Sequence, residues 1–145
     1  FSDQINLKLK RLANRGIRLV YDLRESDSVS KFYNKLNWLI PALHRKYVLG
    51  TSTYKILHSK RPSYLADRLC LKSEANVRTH RGTYLDLSMI NYRTNSGKST
   101  FTACAANLWN SLPLEIREQK TLDSFKVKLL DHLIVKQAEC FDTPK

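Results

Sequence analysis

Polynucleotide chemistry usually needs paired carboxylates that hold two metal ions, and this sequence does not supply them. Its eight Asp and five Glu are scattered and never adjacent. Leu65-Ala66-Asp67-Arg68 comes nearest to an aromatic-x-Asp-Asp metal-binding turn. Leu65 stands where the aromatic belongs, and Arg68 stands where the second Asp must be. A cation at that point opposes metal binding. His44, His58, His80 and His132 lie far apart, and Cys70, Cys104 and Cys140 form no C-x-x-C pair. Neither set has the spacing of metal ligands or of a disulfide framework. Gly97-Lys98-Ser99 ends like a phosphate-binding loop, but the first Gly of that loop is absent at the required distance. There is no H-E-x-x-H and no G-x-S-x-G. The expectation is a chain without catalytic residues, metal or cofactor, and not an enzyme on its own.

Binding chemistry has stronger support. The formal net charge is +12, and it is unevenly placed. Residues 1–24 hold six Lys/Arg against two Asp, and residues 44–98 hold eleven Lys/Arg against three acids. The remaining segments balance. A potential concentrated in this way attracts polyanions, of which nucleic acid is the commonest inside cells. In residues 44–98 the cations alternate with Tyr47, Tyr54, Tyr64, Tyr84 and Tyr92. Cations neutralise phosphates, and rings either stack on unpaired bases or pack in the core. The candidate phosphate contacts are Lys8, Arg11, Arg15 and Arg18 in the first segment. In the second they are Arg45, Lys46, Lys60, Arg61, Arg78 and Arg81.

The elements that must position these residues are mostly helical. Residues 3–23 predict a helix with Ile5, Leu9, Leu12, Ala13, Leu19 and Val20 on one apolar face and the four cations beside it. A polar turn over 24–30 precedes a short helix over 30–36. Pro41 opens a helix that runs to about His58, with Gly50 as an interruption. A short helix from Pro62 or Ser63 ends near Leu71, and residues 72–82 read as loop. Partial alternation over 83–93, the turn Asn95-Ser96-Gly97 and a return over Ser99–Thr102 predict one small hairpin near residues 83–102. Residues 103–111 predict a helix, and Leu114–Arg117 a short turn. A last helix is capped by Thr121, with Leu122, Phe125, Leu129, Leu130, Leu133 and Ile134 as its stripe. Trp38 and Trp109 are expected as core anchors, and the neighbouring Asn residues as caps of helix ends. The fold class expected is mainly α: a compact multi-helix domain with at most one small β-hairpin. Residues 1–137 form that single domain, and residues 138–145 a frayed tail.

With 145 residues, 42% of them hydrophobic and 26% charged, the chain is long enough for a real core. No stretch approaches the roughly 20 apolar residues of a membrane span, and Lys8, Lys10, Arg11, Arg15 and Arg18 break up any secretory apolar core. The expected setting is the nucleus and cytoplasm. Because residue 1 is Phe, the expectation is a fragment of a larger protein.

Six motifs, taken in order, carry a family resemblance. They are Asn14-Arg15-Gly16-Ile17-Arg18-Leu19-Val20-Tyr21, Leu36-Asn37-Trp38-Leu39, Pro62-Ser63-Tyr64-Leu65, Leu108-Trp109-Asn110-Ser111-Leu112-Pro113, Ile116-Arg117 and Ser124-Phe125-Lys126. Over roughly residues 8–135 the chain resembles the region after the catalytic palm of reverse transcriptases from jockey-like non-LTR retrotransposons. The resemblance implies a thumb-like, non-catalytic C-terminal part of an RNA-directed DNA polymerase. Its implied partners are template RNA, primer DNA and the upstream polymerase domain. Ala13 and Gly16 stand where that family often has Gln and Ala. No downstream Cys/His zinc knuckle is present. The alternatives are a structural module that docks on upstream domains, and a decayed or host-reused copy.

Overall fold

A computed structural model of the protein describes residues 3–74, 84–89 and 92–142. Among these the chain is mainly helical and has no sheet, as the expected fold class requires. The helices are α1 (Asp3–Tyr21), α2 (Ser30–Lys35), α3 (Pro41–Ser59), α4 (Ser63–Ala66), α5 (Asn95–Lys98), α6 (Phe101–Ser111), α7 (Leu114–Arg117) and α8 (Leu122–Asp142). The chain divides into two compact units: residues 1–47 with 130–145, and residues 48–129. The division falls inside α3 and α8.

Helix ends follow local chemistry. Asp22, Asn37 and Lys60 have φ of 50°, 49° and 54°. Each lies just beyond a helix, in the left-handed conformation that stops it. After α1, the Leu23 amide donates back to the Arg18 carbonyl at 2.9 Å. After α2, the Trp38 amide donates to the Tyr33 carbonyl at 3.0 Å. Thr121 caps α8 as expected, its hydroxyl accepting from the Ser124 amide at 3.2 Å.

In the first unit the core centres on Ile17, Val29 and Tyr33, with Ala13, Tyr21, Leu23, Phe32, Ile40 and Phe141 packed around them. The Tyr21 and Phe32 rings lie 4.5 Å apart. The Tyr33 hydroxyl donates to Asn14 Oδ1 at 3.1 Å. The buried side of α1 is therefore the Ala13–Ile17–Tyr21 line, and not the predicted one. Leu12, Leu19 and Val20 are 62%, 85% and 76% exposed. At 100° per residue the helix is turned by roughly 100° from the expected orientation. The reason is the neighbour: α2 offers two aromatic rings, and Ile17 and Tyr21 are the α1 side chains that meet them.

The end of α8 also departs from expectation. Of the tail expected over 138–145, residues 138–142 continue α8 and 143–145 lie outside the described residues; the Phe141 ring lies 6.1 Å from Tyr33. Gln137 is fully buried. Its Oε1 accepts from the Ile40 amide at 2.7 Å, and its Nε2 donates to the Trp38 carbonyl at 2.9 Å. One side-chain amide thus satisfies backbone groups of the connection between α2 and α3, which an apolar residue would leave unpaired.

The second unit packs Tyr54, Trp109 and Phe125 as a stack, with centroid distances of 4.5 Å (Tyr54–Phe125) and 5.8 Å (Trp109–Phe125). Ile56, Leu69, Leu87, Leu112, Ile116 and Leu129 are also buried. Gly50 does not interrupt α3. A Cβ there would meet Leu129 Cδ2 at 2.8 Å, so the missing side chain is what lets Leu129 in.

The expected hairpin is absent among the described residues. Leu87 forms an isolated antiparallel bridge with Leu71, and Ser99–Thr102 leads into α6. Two residues take the place of a partner strand. Asn110 Oδ1 accepts from the Leu87 amide at 2.8 Å, and Asn110 Nδ2 donates to the Leu87 carbonyl at 3.0 Å. Trp109 Nε1 donates to the Leu85 carbonyl at 2.8 Å. The Asn therefore holds an extended segment, and does not cap a helix end.

Candidate nucleic-acid interface

The candidate surface starts from the periodicity of α1. Lys8, Arg11, Arg15 and Arg18 are spaced by three or four residues and share one side of the helix. They line one shallow groove of about 500 Å³ with Leu12 and Asn14. Lys8, Arg11 and Arg15 are exposed, and no acid pairs with them among the described residues. Arg18 is half-buried. Its guanidinium donates to the Asp27 carbonyl at 3.4 Å, and its Nε is buried without a partner. It joins the groove while tying α1 to the turn before α2.

Beside the cations runs the outward apolar stripe Ile5–Leu12–Leu19, at intervals of seven residues, with Val20 next to it. Gly16 lies on this side too, and a Cβ there would meet nothing within 4 Å. The close helix contact that a glycine permits is not formed at this position.

Within the first unit, Arg45 and Lys46 do not line that groove. Arg45 is half-buried and donates to Asn6 Oδ1, which makes it a brace between α3 and α1. Lys46 is exposed. In the second unit Lys60 pairs with Glu74 at 3.3 Å, and Arg61 is exposed beside it. Arg78 and Arg81 lie outside the described residues.

The aromatic side chains separate clearly. Tyr54 is buried, and its hydroxyl donates to the Gln119 carbonyl at 2.7 Å; burial pushes its pKa up. Tyr84 donates to Glu118, and that hydrogen bond, followed by desolvation, raises its pKa. Tyr92 is half-buried, with its ring against Gly97. Tyr47 is half-buried near His44. Tyr64 points outward, as does Trp38, at 56% exposure. Trp109 is the core anchor expected of it, whereas Trp38 is not. Trp38 follows the left-handed Asn37, and only its carbonyl is engaged by Gln137.

The titratable cluster of the second unit is an ion-paired brace. Asp86 accepts from Arg117 at 2.7 Å and from Lys72 at 3.1 Å. Desolvation pushes its carboxyl upward, but the hydrogen bonds from Arg117 and Lys72 outweigh it and hold the pKa below the usual value. Arg117 is buried, with its Nε unpartnered. Asp86 and Arg117 were not among the sequence candidates. Their signal was slight, since Ile116-Arg117 stood only as a motif. His132, in the first unit, is lowered by desolvation and then by Lys136, with Glu139 opposing.

No group of three or more His, Cys, Asp or Glu is placed to hold a metal among the described residues. No helix there is long and apolar enough to cross a membrane. Comparisons with protein-family models, with curated proteins and with solved structures returned no match.

Proposed function

We infer that this chain is a non-catalytic, nucleic-acid-contacting part of a non-LTR retrotransposon reverse transcriptase, with α1 resting on the phosphates of template RNA and primer DNA. One observation carries this reading: four cations line a single groove, and three of them lack any counter-charge among the described residues. Like charges so close repel one another unless a polyanion neutralises them. The order and spacing of the six family-like motifs supply the polymerase context.

The test is fluorescence anisotropy with labelled single-stranded RNA, duplex DNA and an RNA–DNA hybrid, each across a salt series. Reversing Lys8, Arg11 and Arg15 together leaves the half-buried Arg18 in place and so spares the fold. The expected result is weaker binding to every nucleic acid. The slope of log affinity against log salt should also flatten by about two to three units, because each lost phosphate contact removes somewhat under one. Unchanged affinity in the folded triple variant overturns the assignment.

A second reading has its own observation. The outward stripe Ile5–Leu12–Leu19 with Val20, and the exposed Trp38 on the same unit, suit a module that docks on another protein domain. Large apolar side chains grouped on one helix mark an interaction surface more often than scattered ones do. Replacement of Leu12 and Leu19 by Ser distinguishes the two readings: nucleic-acid affinity stays within twofold if the cations alone carry the binding.

A further inference from the structure

We propose that the turn bearing Tyr64 is a stacking platform for an unpaired nucleobase, so that the chain grips single-stranded nucleic acid in its second unit; this rests on the nucleic-acid reading above and specifies the substrate class. Five tyrosines alternate with cations between residues 44 and 98, and the structure accounts for four of them internally. Tyr54 belongs to the core stack, Tyr84 is bound to Glu118, Tyr92 covers Gly97, and Tyr47 is half-buried and partnered. Tyr64 is the most exposed of the five, at 67% against 36% for Tyr84, and its hydroxyl is not held by a neighbour as that of Tyr84 is.

The ring is held out on a firm base. The Leu65 and Ala66 amides both donate to the Pro62 carbonyl at 3.1 Å. The Asp67 amide donates to the Ser63 carbonyl at 2.9 Å, and the Leu69 amide to the Ala66 carbonyl at 3.0 Å. Leu69 is buried and Leu65 half-buried, so one side of the turn is anchored while Tyr64 faces away. A backbone held in this way does not have to be ordered when a base stacks on the ring.

Its flanks carry the charges that a strand's phosphates require. Arg61 precedes Tyr64 by three residues and Arg68 follows it by four, one on each side of the short helix α4 in the chain. Both are exposed, and no acid pairs with either guanidinium among the described residues. Lys60 is exposed and shared with Glu74, and Asp67 is the one acid within the turn. Sequence-tolerant single-strand binders combine cations that hold phosphates with an aromatic ring on which a base stacks, and this stretch supplies both residue types. In a duplex, paired bases offer no free face to the ring.

The experiment uses the full chain and a labelled 12-nucleotide oligouridine, the same strand with abasic sites, and a blunt RNA duplex of equal length. Y64A should weaken single-strand binding about 5- to 100-fold, the range for loss of one stacked base, and leave duplex binding within twofold. Y64F and Y64W should retain single-strand affinity. The abasic strand should bind wild type about 5- to 100-fold more weakly than the intact strand does, a comparison that needs no variant to fold. Single-strand affinity unchanged by Y64A, or lost equally on the duplex, overturns the platform. If the reversal of Lys8, Arg11 and Arg15 still weakens binding in that case, the broader reading survives. Absence of binding by wild type to all three probes removes both.

Discussion

Gln137 in the first unit and Asn110 in the second face the same problem. Each lies beside non-helical backbone with an amide and a carbonyl that no other backbone group pairs, and each satisfies them with both ends of one side-chain amide. Their surroundings differ. Around Asn110 the second unit closes an aromatic stack, a buried arginine and a run of buried aliphatic residues. Around Gln137 the first unit buries Ile17, Val29 and Tyr33, yet leaves Leu12, Leu19 and Val20 exposed on the helix that carries the groove cations, and Trp38 exposed as well. The contrast separates two uses of similar residues. In the second unit apolar periodicity builds an interior, and in the first it also builds a surface.

The largest effect belongs to the second unit's stack. Trp109→Ala removes a ring that packs on Phe125 and a donor to the Leu85 carbonyl. It should cost about 4 kcal/mol in denaturant unfolding, in the range for buried Trp truncation. A loss under about 1 kcal/mol would mean that this unit is no more tightly built than α1's outer face.

Asp86→Ala comes next, because it leaves the buried Arg117 charge without its partner; about 3 kcal/mol is expected. This brace also has a pH signature. The folded carboxyl titrates below its unfolded value of about 4. Its stabilisation is therefore fully present above that value and is lost as pH falls through the folded pKa. Unfolding free energy measured from pH 6 downward should fall in the acid range, and Asp86→Asn should flatten that fall. An identical acid profile in Asp86→Asn would show that other carboxylates govern it.

The two amides give the direct comparison. Asn110→Ala and Gln137→Ala each strand a backbone amide and a carbonyl, and about 2 kcal/mol is expected from either. Near-equal losses would mean that the backbone need sets the cost. A much smaller loss for Gln137 would mean that water reaches the α2–α3 segment of the first unit.

These residues also mark where sequence was informative. Helix positions followed from caps and stops: Thr121, Pro41, Pro113 and the stripe through Phe125, Leu129 and Leu133 all stand where expected. Gln137 continues that stripe at the same interval of four, and this spacing was the available sign of its burial. The hairpin failed because alternation over 83–93 shows that one face of a segment is buried, and does not identify the partner. Here the partner is a side-chain amide from α6, a contact at a separation of 23 residues that no local pattern encodes. The buried face of α1 failed for a related reason. A stripe of Ile and Leu competes with a line of Ala13, Ile17 and Tyr21, and the neighbour decides between them. The four groove cations were legible because a helix fixes their common side whichever stripe is buried.

The smallest effect tests that last point and has the opposite sign. Gly16 lies in α1 on the outward side, with open space where a Cβ would stand. Glycine inside a helix costs about 1 kcal/mol relative to Ala, through the freedom of the unfolded chain. Gly16→Ala should therefore stabilise the protein by about 0.5–1 kcal/mol in denaturant unfolding. Leu12→Ser and Leu19→Ser should stay within about 0.5 kcal/mol of neutral, as exposed positions do. If Gly16→Ala destabilised instead, and Leu12→Ser cost as much as a core truncation, the apolar side of α1 would be covered in solution. The first unit would then resemble the second, with its cations edging an interface rather than a free groove.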